Sequence, residues 1–290
     1  MLSYRHAFHA GNHADVLKHL VLVQMLDYLT QKPAPLWIID THAGAGRYRL
    51  DAREAQKLGE YREGIARIWG KNEPGTPEAV TAYLAAVREL NPSGELKHYP
   101  GSPWLAQRAL RPADRLRLFE LHGNESRLLA RNFKSAGREV QTTAGDGLRL
   151  LKSLLPPPGR RALTLIDPSY ETKSDYANVL ATLKDALKRF ASGTYAVWYP
   201  QLAKIESRQL PDRLKRLPAT GTNTGMDWLH VSLSVRAPAA DGLGMCGSGM
   251  FIINPPWTLA DTLRQSLPWL TQQLAQDDAA EWKLETSADR

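Results

Sequence analysis

The chain alternates short apolar runs with stretches of helical period. Leu36-Trp37-Ile38-Ile39-Asp40 is a continuous apolar run closed by an acid, the form of a strand buried on both faces. Residues 115–119 ending in Glu120, residues 139–143 leading through Ala144-Gly145 to Asp146, and residues 162–166 ending in Asp167 repeat it. Before the first run, Val16, Leu17, Leu20 and Val21 recur at helical spacing behind Asn12 and Asp15, a cap and a first-turn acid, and Pro33 and Pro35 stop that helix. Residues 125–133 and 176–190 are helical between the later runs, and residues 194–199, 228–235 and 250–253 are further strands. Strands alternating with helices predict an α/β fold around a doubly wound, mostly parallel sheet.

Spacing exposes an insertion. Glu120 to Asp146 is 26 residues and Asp146 to Asp167 is 21, each one strand–helix unit, but Asp40 to Glu120 is 80. A unit takes roughly 20 to 30 residues, so roughly 50 are extra. Within them residues 61–69 and 77–90 carry helical patterns, and Asn91-Pro92-Ser93-Gly94 a turn. The expected organisation is a core of residues 1–46 and 113–275, an inserted helical subdomain over 47–112, and an acidic, partly mobile tail over 276–290.

Composition narrows the classes. At 290 residues, 43% hydrophobic and 23% charged, bulk disorder is excluded. The formal charge of +7 suits a polyanionic partner. Arg47, Arg49, Arg53, Arg62, Arg67 and Lys71 in the insertion, with Arg127, Arg131 and Lys134 on a helix, are candidate phosphate contacts, although such side chains also serve simply as solvated surface. The single Cys246 excludes an internal disulfide and a CxxC zinc site and points to a reducing cytoplasm. No apolar run approaches the roughly 18 residues of a membrane span. His6, His9, His13, Asp15, Lys18 and His19 interrupt any signal-peptide core, so a soluble chain with its mature start near Met1 is expected. The histidines lack regular ligand spacing, and no metal is expected.

Four successive strands end in Asp40, Glu120, Asp146 and Asp167, where open α/β sheets bind ligands. An acid after the second strand can take both hydroxyls of a ribose, and one after the third the exocyclic amine of an adenine. The plain alternative for each is a helix cap. The turn His42-Ala43-Gly44-Ala45-Gly46 lacks the Lys-Ser/Thr of a P-loop and the third glycine of GxGxxG, so it suits a ligand without a diphosphate. Asp167-Pro168-Ser169-Tyr170 resembles the (Asp/Asn)-Pro-Pro-(Tyr/Phe/Trp) signature of methyltransferases acting on exocyclic amines. An adenine amine is a poor nucleophile; a carboxylate and a carbonyl accepting its hydrogens orient it and can receive the released proton. Tyr170 is then expected to stack on the flipped base. Ser169 replaces the usual second proline. Asn254-Pro255-Pro256-Trp257 matches the signature in full but follows the last of these predicted strands, expected near one sheet edge, and is read as a structural turn.

On these residues the chain resembles the RlmJ family of 23S rRNA adenine-N6 methyltransferases. The likeness rests on the opening Met1 to His19, on Asp40-Thr41-His42-Ala43-Gly44-Ala45-Gly46-Arg47-Tyr48 and Tyr99-Pro100-Gly101-Ser102-Pro103, and on the two proline loops. It implies a Rossmann-like class I S-adenosylmethionine-dependent fold with a helical insertion. It also implies an S-adenosylmethionine pocket of His19, His42, Ser102, Glu120, Asp146, Gly147 and Asp167, with Asp167 as catalytic carboxylate. Tyr4, His6 and Lys18 would sit in an N-terminal segment that meets the RNA. The implied partner is 23S rRNA, naked or as an early-assembly hairpin, met by a monomer away from any membrane. Two alternatives stay open: a DNA adenine-N6 methyltransferase, because the proline loop does not distinguish nucleic acids, and an inactive RNA-binding protein, because of Ser169.

Overall fold

Asn12 opens the first helix by accepting a hydrogen bond from the Asp15 backbone N–H, capping α1 (His13–Leu29). The computed structural model containing it describes residues 4–71, 73–217 and 227–289. The elements that follow are β1 (Trp37–Asp40), β2 (Arg47–Arg49), α2 (Arg53–Leu58), α3 (Ile65–Ile68), α4 (Glu78–Glu89), β3 (His98–Pro100), α5 (Ser102–Ala109), β4 (Arg115–Glu120), α6 (Gly123–Asn132), β5 (Val140–Ala144) and α7 (Gly147–Leu151). The second half holds β6 (Ala162–Ile166), α8 (Lys173–Arg189), β7 (Thr194–Gln201), α9 (Ile205–Lys215), β8 (Trp228–Ser234), β9 (Gly247–Ile253), α10 (Leu259–Leu274) and β10 (Glu281–Thr286).

Eight strands form one sheet in the order β10-β8-β9-β7-β6-β1-β4-β5. From β7 to β5 every pairing is parallel, while β9, β8 and β10 join by antiparallel pairings. The chain leaves β1 toward β4 and β5, then returns to β6 on the other side of β1. This reversal opens a crevice at the carboxyl ends of β1 and β6, where such sheets bind ligands. Ile38, Leu116 and Leu163 point to one face, covered by α1, α5 and α10; Ile39, Phe119, Ile166 and Val197 point to the other, under α7, α8 and α9. The helix α1 is buried almost all round, because α4, α5 and α10 also pack on it, and so carries Asp15, Lys18 and His19 into the interior.

Three features differ from expectation. The insertion closes earlier than residue 112: β2 pairs antiparallel with β3, Arg47 opposite Pro100, and the Gly101 N–H donates to the Gly46 carbonyl at 2.9 Å. After this stem, α5 is the crossover helix between β1 and β4, packed on both and on α1. The predicted helix over 61–69 is divided by Gly64 into a 3-10 turn and α3, because a Cβ there would lie 2.1 Å from the Gly11 carbonyl oxygen. The tail is not a loose acidic end. Trp282 and Leu284 alternate inward against the core between Glu281, Lys283 and Glu285, and β10 pairs with β8 over six residues. The acid count hid that period.

Candidate active site

The crevice holds a cavity of about 280 Å³ whose lining takes in the carboxyl-terminal loops of β1, β4, β5 and β6 and the segment before α1. Predicted residues brought together around it are Tyr4, His6, Lys18, His19, His42, Ser102, Glu120, Asp146, Gly147 and Asp167.

Asp40 does not line the cavity but shapes it. Its carboxylate accepts from the Ser102 hydroxyl at 2.6 Å and from the His42 N–H at 3.1 Å, tying the first loop to α5. Burial pushes its pKa up to about 6. Glu120 accepts from the Gly44 N–H at 2.8 Å and the His122 N–H at 2.7 Å, and burial raises its pKa. Each of its oxygens keeps a lone pair for a ligand hydroxyl. Asp146 caps α7 by accepting from the Arg149 N–H, as its plain reading expects, and it also lines the cavity. Gly147 is required by contact: a Cβ would lie 2.2 Å from the Thr41 carbonyl oxygen, and only glycine lets α7 start against the β1 loop.

His19 is buried and its pKa is pushed down to about 3 by that burial, so it is neutral. Its Nδ1 lies 2.8 Å from the Tyr99 hydroxyl, itself 2.8 Å from the Tyr83 hydroxyl, while Nε2 is buried without a partner among the described residues. With the tyrosine hydroxyls donating along this chain, Nε2–H is left to donate to a ligand. His42, also neutral through burial with a pKa of about 4, contacts the Thr41 hydroxyl through Nδ1.

At the centre, the Lys18 ammonium bridges two carboxylates: Asp167 Oδ2 at 2.5 Å and Asp15 Oδ1 at 3.0 Å. Burial works against the Lys18 charge, but Asp15 and Asp167 outweigh it and raise the pKa. Asp15 is in turn fixed by His6 Nε2 at 2.9 Å and the Gly11 N–H at 2.8 Å, and Tyr4 donates to His6 Nδ1 at 2.8 Å. Burial raises the Asp167 pKa although Lys18 pulls it down. Asp167 Oδ1 has no protein partner among the described residues, and Pro168 and Ser169 line the cavity beside it.

One predicted role does not match this geometry. Tyr170 is 1% exposed and absent from the cavity wall; its backbone turns left-handed at φ 52°, and its hydroxyl donates to the Trp198 carbonyl at 2.8 Å. The ring packs on Tyr176 in the core and cannot stack on a base from there. Lys18, expected in a segment that meets the RNA, lines the cavity with its ammonium buried against the Asp167 carboxylate. Sequence reasoning also passed over Asp15, Tyr99 and Glu125. Glu125 lines the cavity with both carboxylate oxygens buried and no hydrogen bond; Arg5 Nε is 3.7 Å away. The neighbours of Tyr99 and Glu125 lie far along the chain, and Asp15, although its partners Lys18, Gly11 and His6 are close in sequence, reads as an ordinary first-turn acid.

The second proline loop lies elsewhere. β9 is not at an edge but between β7 and β8, running antiparallel, with Ile253 opposite Tyr195 near the start of β7. Asn254 therefore sits at the far end of the sheet from Asp167. It adopts φ 51° and donates to the Ala191 and Gly193 carbonyls at 2.8 and 2.7 Å, which makes it a turn lock. Among the described residues no group of three or more His, Cys, Asp or Glu is placed to hold a metal ion, and no helix is long and apolar enough to cross a membrane.

Comparisons with known proteins agree with this arrangement. A family model described as ribosomal RNA large subunit methyltransferase D, RlmJ, matches residues 33–287. Ribosomal RNA large subunit methyltransferase J of Haemophilus influenzae is 44% identical over 286 residues, 98% of each chain. Its namesake in Escherichia coli is 46% identical over 274 residues, 94% of each. The crystal structure of protein LPL1258 from Legionella pneumophila superposes with a TM-score of 0.86 at 34% identity, covering 96% of this chain and 98% of that one.

Proposed function

The chain belongs to the RlmJ family of ribosomal RNA large subunit methyltransferases, and on that premise we propose that it methylates the exocyclic N6 of an adenine in 23S rRNA, with S-adenosylmethionine as donor. The observation that carries the chemistry is Asp167: a buried carboxylate at the switch point with Oδ2 on Lys18 and Oδ1 unpartnered beside Pro168.

The donor set fits S-adenosylmethionine. Glu120 suits the two ribose hydroxyls, Asp146 with Gly147 the adenine edge, the orphaned His19 Nε2 beside His42 the methionine carboxylate, and the Ser102 hydroxyl oxygen, its hydrogen given to Asp40, the methionine ammonium. That cofactor supplies a methyl group already activated on a sulfonium, so the protein need only bring an amine to it.

Asp167 Oδ1 and the Pro168 carbonyl accept the two amine hydrogens and aim the nitrogen lone pair. Lys18, its own charge secured by Asp15, fixes the rotamer of Asp167 through Oδ2. Burial raises the proton affinity of Asp167, which suits it to take the proton released as the amine is alkylated. Tyr4 and His6 extend the same hydrogen-bonded chain to the mouth of the cavity, where they would meet the target nucleotide. The finer reading is a monomer acting in the cytoplasm on a naked or early-assembly rRNA hairpin. The charge of +7 and the single, unpaired Cys246 support it.

Asp167→Ala removes both carboxylate oxygens, where asparagine would keep one acceptor for the amine. Single-turnover transfer to deproteinised 23S rRNA should fall by roughly 10²- to 10⁴-fold, with the melting temperature changed by only a few degrees. Full activity in this variant would remove Asp167 from the chemistry.

A further inference from the structure

A second concavity of about 810 Å³ lies beside the catalytic loop, and nothing in the function described above uses it. Its floor is the sheet face around β7, β9 and β8. On the opposite face the same strands are largely apolar, with Leu229, Val231, Leu233, Met250 and Ile252 in the core around a buried Ser248. Here they present Gln201, Ser232 and Ser234. The floor is flat because β9 contributes Gly247 and Gly249. A Cβ on the first would lie 2.1 Å from the Gln201 side-chain oxygen, and on the second 2.4 Å from the Tyr199 hydroxyl. Tyr199 is held by His230 Nε2 at 2.7 Å, and His230 Nδ1 contacts Glu285 of β10 at 3.0 Å, so the floor is braced from its far side.

This floor has hydrogen-bonding capacity to spare. Gln201 accepts from the Ser234 hydroxyl at 2.8 Å, but its amide nitrogen has no protein partner among the described residues, nor has the Ser232 hydroxyl. Two arginines line the walls. Arg208 on α9 has no ion pair or side-chain hydrogen bond among the described residues, and Arg236 makes only a 3.4 Å contact with the Met245 carbonyl. Of the acids at the β10 end, Glu281 is neutralised by Lys283 at 3.1 Å, leaving Asp278 at the rim.

The groove neighbours the catalytic loop. Gln201 ends β7, the parallel neighbour of β6, which carries Asp167. Lys204, two residues past the groove's Leu202, reaches the Tyr170 and Glu171 carbonyls at 3.5 and 3.4 Å, so the groove and the Asp167–Tyr170 loop share a rim.

We propose that this groove binds the rRNA strand flanking the target adenosine, its phosphates on Arg208 and Arg236 and its sugar and base edges on Gln201, Ser232 and Ser234. The inference rests on the rRNA reading of the active site and extends it to a second subsite. The hydroxyls, the amide and the two guanidinium groups match ribose hydroxyls and phosphates, while Leu202, Pro211 and Pro238 in the lining offer apolar surface to a base.

The test compares the full-length wild type with Arg208→Glu/Arg236→Glu, and with Arg208→Gln/Arg236→Gln as the milder pair. Binding of a deproteinised 23S rRNA fragment is measured across a salt series, with S-adenosylmethionine binding and thermal melting measured alongside. The charge-reversed pair should bind rRNA at least 10-fold more weakly and lower the slope of log affinity against log salt by about 1.4 to 1.8. The glutamine pair should show a smaller loss in the same direction, and cofactor affinity should be unchanged in both. Unchanged rRNA affinity and slope in folded variants, beside a wild type that binds and methylates the fragment, overturns the groove alone. A wild type that neither binds nor methylates it overturns the rRNA reading and the groove with it.

Discussion

A buried ammonium between two carboxylates is costly to assemble, and Lys18 recovers that cost only because both partners are within 3.0 Å. This cluster divides what was readable at the residue scale from what was not. Asp167, Glu120 and Asp146 were legible because each closes an apolar run, and the fold class places ligands there. The Lys18–Asp167 pair spans 149 residues, and no local pattern announces a contact of that range. Tyr170 misled for the opposite reason: the motif suggested a stacking ring, but the left-handed turn at that residue sends the ring into the core. Buried histidines add a pH dependence at this scale. His13, His19 and His42 have folded pKa values near 4, 3 and 4, against 6.5 in the unfolded chain. Between pH 6.5 and 4 the unfolded state therefore binds up to three more protons, and stability falls on acidification by up to about 1.4 kcal/mol per pH unit for each. Asp40 opposes this: with a folded pKa near 6, it is protonated in the folded state where the unfolded state is not. Glu120 and Asp167, also raised by burial, act in the same sense as Asp40, but the three histidines are displaced further, so the melting temperature should drop from pH 6.5 to 4.5. A flat or rising profile would show that these histidines are accessible to protons in the fold.

At the scale of elements, short runs leading to an acid located β1, β4, β5 and β6 within a residue or so: β1 and β6 are apolar and buried, whereas β5, at the sheet edge with no buried residue, was marked by the repeat of strand–helix spacing. Elements whose signal is diluted were harder. The period-2 pattern of β10 was masked by acids on its outer face, and the stem that closes the insertion consists of two three-residue strands. The two proline loops were separable by order along the chain, and the antiparallel course of β9 supplies the physical reason: it delivers Asn254 to the opposite end of the sheet from Asp167. Asn254→Ala removes two hydrogen bonds to the Ala191 and Gly193 carbonyls and places a Cβ-bearing residue without a side-chain amide at φ 51°. The expected cost is about 2 to 3 kcal/mol of stability, with methyl transfer unchanged below the melting transition. A stable variant that has lost activity would mean that the second loop belongs to the chemistry.

For the molecule as a whole, the strand order does most of the functional work. Reversal of the chain at β1 and β6 puts Asp40 and Asp167 on neighbouring strands with Glu120 on the next, so residues spread over more than a hundred positions meet in one crevice. The helix α1, packed across that sheet under the insertion, then brings Lys18 to Asp167 from the other side. The central claim, a transfer of methyl to the N6 of an rRNA adenine, is tested most directly by incubating the purified protein with S-adenosylmethionine and either deproteinised 23S rRNA or duplex DNA, then digesting each to nucleosides for mass spectrometry. The account predicts N6-methyladenosine in the rRNA, none in the DNA, and none in either with Asp167→Ala. Methylation of the DNA alone, or no methylated adenine in the rRNA, would contradict it.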